Sequence, residues 1–173
     1  MKGVDMSSGV AVADWIRRIV DEERRRDSVR LKEDDTAARK ADLVRLNGRR
    51  LVDELRATVT RDVEAFRAEF PGDLARDIAV DTTAADGGFT VTKPTPAGVS
   101  LTVTPNLAAA LVVCLYRFTL GGGLPPREDR IDVMFSGDGE SLQMKHHGTG
   151  RVFATAEALS EFLLIPVLTG RPR

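Results

Sequence analysis

From Val12 to Phe70 the chain contains one glycine and no proline, and Ala, Arg, Glu, Leu and Asp dominate, so this stretch is predicted to be helical. Its second half carries a clear apolar stripe. Val44, Gly48, Leu51, Leu55, Val59, Val63, Phe66 and Phe70 recur at steps of three or four, with a mean step of about 3.7. That is nearer the period of a straight helix than of a coiled coil, so the stripe is expected to pack on a sheet or a neighbouring helix. Phe70-Pro71-Gly72 should end it, because Pro71 disfavours helical geometry at Phe70 and Gly72 supplies a turn. The first half differs. Val12, Trp15, Ile16, Ile19 and Val20 form a compact apolar patch on two helical turns. Twelve of the next fifteen residues, Asp21 to Asp35, are charged. This segment has almost no face to bury. It is either a solvated helical spacer held by pairs such as Glu22–Arg26, with like-charge clashes mixed in, or a break between two helices.

Beyond Gly72 the period falls to two. Ile78 and Val80 alternate with Ala79 and Asp81, Phe89 and Val91 with Thr90 and Thr92, and Val99, Leu101 and Val103 with Ser100, Thr102 and Thr104. Asp86-Gly87-Gly88 and Lys93–Gly98 are the turns between them. The run from Leu107 to Leu120 is apolar on both faces at its centre, which predicts a central strand covered on both sides. Gly121–Pro126 is a loop. Ile131, Val133 and Phe135 give another strand, Ser136–Gly139 a turn, and Leu142, Met144 and His146 one face of the next strand. His147–Gly150 turns again into a short last strand at Arg151–Ala154. Thr155 is placed to cap a final helix with Leu159, Phe162, Leu163 and Val167 on its apolar face, and Pro166 should kink or end it.

The expected fold class is therefore α+β: a long N-terminal helix, an antiparallel meander sheet of six or seven strands, and a C-terminal helix. The expected division is residues 1–40, a loose tail of about ten residues and a charged helical arm, and residues 41–173, the α+β domain. The helix stripe should cover one sheet face against Val113 and Leu115, and the C-terminal helix the same face or the sheet edge.

Composition narrows the function classes. The chain has 173 residues, 42% of them hydrophobic, and a net charge of −1, so no global field draws it to nucleic acid or an anionic membrane. No apolar run approaches the ~20 residues needed to span a bilayer, and the first twelve residues lack the apolar block of a signal peptide. A single cysteine, Cys114, allows no internal disulfide. These features together predict a cytoplasmic protein.

Candidate chemistry is sparse. The two histidines, His146 and His147, and Cys114 are the only conventional base and nucleophile pair, but Cys114 lies in the most apolar strand, where a thiol behaves as a small hydrophobe. Adjacent histidines on a strand point to opposite faces and do not chelate one ion. Gly121-Gly122-Gly123 runs into Leu124-Pro125-Pro126 and not into a phosphate-binding helix start. Ser136–Glu140 lacks the alternating carboxylates of a calcium loop. Glu128, Asp129 and Asp132 read as solvated acids near a loop end. Arg24–Arg26, Arg39-Lys40 and Arg49-Arg50 are interleaved with acids, and aromatic residues are only 5% of the chain, leaving little to stack on bases. No catalytic residue, cofactor or metal is expected, and nucleic acid and membrane are set aside as partners.

The patch of Val12, Trp15, Ile16, Ile19 and Val20 is the candidate partner-binding site. A helical spacer of about twenty residues would hold it roughly 30 Å from the core. It either folds back on the domain or docks on another chain. The primary expectation is a non-enzymatic adapter or assembly subunit that engages a protein partner, or forms a homo-oligomer, through this amphipathic helix. The alternative is a small-molecule or peptide-binding sheet domain with a pocket between sheet and helix.

Overall fold

A computed structural model describes residues 11–137 and 141–173 of the chain. The expected tail at residues 1–10 and positions 138–140 of the expected turn and calcium-like segment lie outside the described residues. The chain divides into two units, Met1–Ala38 and Arg39–Arg173.

Helix α1 spans Asp14–Leu43 and continues through a π-helical turn, Val44–Gly48, into α2, Arg49–Ala68. The charged segment Asp21–Asp35 is thus helical throughout and makes no break. None of the α1 residues is buried. Its surface carries short-range pairs, Arg26 to Glu22 at 3.4 Å and to Glu23 at 3.0 Å, and Arg24 to Asp21 at 3.9 Å. Exposed pairs of this kind each add about 0.3–0.5 kcal/mol to a helix.

In the second unit, α2 shows the face that its apolar spacing predicts. Val44, Gly48, Leu55, Val59 and Val63 are buried, together with Val52 and Thr58, while Leu51 and Phe66 are half-buried and Phe70 is exposed. Gly48 sits where no side chain fits easily. A Cβ there would lie 3.1 Å from Leu107 Cδ2 and 3.6 Å from Phe135 Cζ, so the glycine lets the helix approach the sheet closely.

The sheet is a seven-stranded meander: β1 (Ala79–Asp81), β2 (Phe89–Lys93), β3 (Val99–Asn106), β4 (Leu111–Phe118), β5 (Arg127–Ser136), β6 (Gln143–His146) and β7 (Val152–Phe153). Every neighbouring pair is antiparallel, which short turns permit. Helix α3, Ala156–Thr169, follows. Thr155 caps it by accepting from the Ala158 backbone N–H at 3.1 Å, and Gly170 closes it in the left-handed conformation at φ 69°. Pro166 lies inside α3 and does not end it. Leu159, Leu163 and Val167 are buried on either side of the proline, and packing holds the helix through it.

Helices α2 and α3 lie on the same face of the sheet and are tied to each other. The buried Ser160 hydroxyl donates to Asp62 Oδ2 at 2.7 Å. Beneath them, Phe89, Val91, Leu101, Val103, Cys114, Tyr116, Val133 and Phe135 complete a single core.

Two expectations about the central strand are corrected. The strand is shorter than the run Leu107–Leu120. Residues Leu107–Ala110 form a turn, in which Asn106 Oδ1 accepts from the Ala109 N–H at 3.1 Å and Ala110 takes φ 53°. The strand is central but, within the Arg39–Arg173 unit, helices cover it on one face only. Pairing Val103 with Cys114, and Cys114 with Ile131, turns Val112, Cys114, Tyr116 and Phe118 inward. Val113 and Leu115 therefore face away from α2, and Leu115 is 39% exposed. They are not the partners of the helix stripe.

Candidate functional site

The predicted partner-binding residues share the start of α1. Helix formation begins where the Ala13 carbonyl accepts from the N–H groups of Ile16 and Arg17 at 3.0 and 3.1 Å. Spacing of three and four then gathers Trp15, Ile16, Ile19 and Val20 on one side, with Val12 just ahead of the first turn. Trp15 is 58% exposed and Ile19 53%; Val12 and Val20 are also exposed, and Ile16 is half-buried. Trp15 and Ile19 share a shallow hollow with Arg18, Glu22, Glu23 and Arg26. The patch is thus apolar at its centre and charged with both signs along its flank.

The residues weighed for catalysis do not converge. Cys114 is fully buried in β4, and burial, with Asp132 adding to it, pushes its thiol up to about 12. His146 and His147 point apart. Nδ1 of His146 lies 2.7 Å from Thr149 Oγ1, and its ring is 5.3 Å from Phe162 of α3. Nδ1 of His147 lies 3.0 Å from the sulfur of Met134, a residue in register with Leu111 and Lys145 on the sheet face opposite α2 and α3. Asp129 is paired with Arg127 at 3.2 Å and Asp132 with Arg130 at 2.8 Å. Among the described residues no three His, Cys, Asp or Glu side chains form a metal-binding group, and no helix is long and apolar enough to cross a membrane. The basic runs are matched by nearby acids: Arg25 with Glu22, Arg49 with Asp53, Arg50 with Glu54.

A second feature emerges on the helix-bearing face of the sheet, within the Arg39–Arg173 unit. A cavity of about 420 Å³ opens between α3 and the first half of β5. Its apolar walls are Phe118, Ile131, Phe162 and Pro166, with Tyr116 at the base. The Tyr116 hydroxyl donates to the Leu163 carbonyl at 2.6 Å, which fixes the ring against α3, and burial holds this phenol well above its usual range. Arg127, Asp129, His146, Thr149 and Arg173 add polar groups. His146 is held below its usual range first by burial, then by Arg173 and His147. Arg173 is lowered first by burial; Tyr116 opposes that and Arg151 adds to it.

Of these cavity residues the sequence weighed only His146 and Asp129 for chemistry, and placed Ile131, Phe162 and Pro166 only as parts of the fold. One signal was present. Arg127 and Asp129 stand in phase with Ile131, Val133 and Phe135, so β5 carries charged residues at two positions of its inward face.

The chain matches no protein-family model, no curated protein and no solved structure.

Proposed function

We propose that the protein is a non-enzymatic adapter or assembly subunit that engages a partner protein, or a second copy of itself, through Val12, Trp15, Ile16, Ile19 and Val20 of the N-terminal helix. One observation carries this reading: Trp15 and Ile19 stand more than half exposed on a 30-residue helix that buries none of its own residues. Helices in proteins owe most of their stability to packing of an apolar face, and α1 has such a face that no described residue buries. Burying each large apolar side chain of the patch is worth about 1.5–3 kcal/mol. Trp is also the side chain most often found at the energetic centre of an interface, and residues spaced by three and four are what a groove reads on a docked helix. The mixed charges flanking the patch favour a polar rim that is complementary in sign over a surface of one charge.

The test is the double variant Trp15→Asp with Ile19→Asp in the full chain. Light scattering of the unaltered protein is expected to show a mass above the monomer, or a partner captured from lysate, and the variant is expected to lose whichever is seen while keeping its denaturation midpoint. An unaltered protein that is monomeric and captures nothing, or a variant that associates as well as the parent, overturns the proposal.

A further inference from the structure

The cavity between α3 and β5 combines an apolar interior with a charge imbalance. Three arginines line it, Arg127, Arg130 and Arg173, against one carboxylate, Asp129. That carboxylate is taken up by Arg127 at 3.2 Å, and Arg130 is engaged by Asp132 at 2.8 Å. Arg173 has no Asp or Glu side chain within ion-pair distance among the described residues. Its guanidinium lies 3.5 Å from the centre of the Phe162 ring, and Arg151 places a second guanidinium 5.5 Å from the same ring, likewise without a carboxylate among the described residues.

Two like charges near one ring repel each other, and Arg173, at the wall of an apolar cavity, has given up part of its hydration. Stacking on Phe162 recovers a part of this, as a cation over an aromatic face does. Burial and then Arg151 pull Arg173 below its usual range, which is the same strain seen as proton affinity. An anion brought to this wall would relieve the repulsion and form charge-assisted hydrogen bonds with a planar fork that suits oxyanions. The cavity volume of about 420 Å³ falls in the range of small-molecule sites, and apolar walls with a few polar groups are how such sites are built.

We propose that this cavity binds a small organic anion: an aromatic or compact alkyl body carrying one carboxylate, sulfonate or phosphate. The body lies against Phe118, Ile131 and Phe162, and the acid group meets Arg173, with Arg127 at the mouth. The site belongs to the Arg39–Arg173 unit and is independent of the helical patch, so either proposal stands or falls alone.

The experiment is a calorimetric titration of the full chain with 1-naphthoate, and with 1-naphthamide as a neutral body of the same shape. Saturable one-to-one binding of the acid is expected, at least tenfold tighter than the amide. Arg173→Met keeps much of the apolar stem and removes the charge. It is expected to weaken the acid tenfold or more and to leave the amide unchanged, with a denaturation curve run alongside to show that the variant is folded. Phe162→Leu should weaken both ligands. Equal affinity for acid and amide, undiminished binding of the acid by Arg173→Met, or no saturation up to about 10 mM, weaker than specific small-molecule affinities, overturns the proposal.

Discussion

Burial at Cys114 removes the chemistry that the residue type suggests. With the thiol raised to about 12, its thiolate fraction at pH 8 falls roughly a thousandfold below that of a free cysteine, and the sulfur has no solvent path. Ellman's reagent at pH 8 should therefore leave the native protein unlabelled over the time in which the guanidinium-unfolded chain reacts completely. Prompt labelling of the native protein would place Cys114 on the outer sheet face and overturn the inward register of β4. The same scale explains what was hidden at the cavity. Phe118, Arg127, Phe162 and Arg173 are ordinary residues on separate stretches, brought together only by folding. Trp15 and Ile19 are neighbours along one helix, so their shared side could be read from spacing alone.

At the scale of elements, alternation decided the faces wherever polar residues marked one of them. In β2, β3 and β5 the inward residues are those in phase with Phe89, Leu101 and Val133. In β4 the run from Leu111 to Tyr116 is apolar at every position, so periodicity carried no information on which half faces the helices. The expectation that Val113 and Leu115 meet the α2 stripe was wrong by one residue. Only the pairing of Cys114 with Val103 and Ile131 settles it. A continuous apolar run also suggested cover on both faces, whereas half-exposed aliphatic side chains on an open sheet face are common in proteins. Two substitutions separate the registers. Leu55→Ala removes a fully buried side chain of α2 and should cost about 2–5 kcal/mol. Leu115→Ala removes a side chain that is 39% exposed on the face away from α2 and should cost about 1 kcal/mol or less. Urea denaturation of both variants checks the assignment, and a Leu115→Ala loss as large as that of Leu55→Ala would reverse it.

For the whole molecule, the question is whether the arm supports the domain or serves something else. Every residue of the buried core lies at or beyond Val44, so deleting residues 1–38 removes no core side chain. The deletion also leaves the Ser160–Asp62 hydrogen bond, the Tyr116–Leu163 hydrogen bond and all six strand pairings in place. The truncated protein should then keep the urea midpoint of the full chain, retain 1-naphthoate binding, and lose helical circular dichroism in proportion to the residues removed. Its light-scattering mass should be that of a monomer, and any partner captured by the full chain should be lost. A midpoint lowered by several kcal/mol of stability would show instead that the Trp15 patch is buried against the domain in solution. An arm with twelve charges in fifteen residues behind an apolar patch would then be an internal strut. Mass and partner capture at matched concentration separate the two, because an internal strut predicts a full chain that is monomeric and captures nothing, whereas a docking arm predicts one or the other.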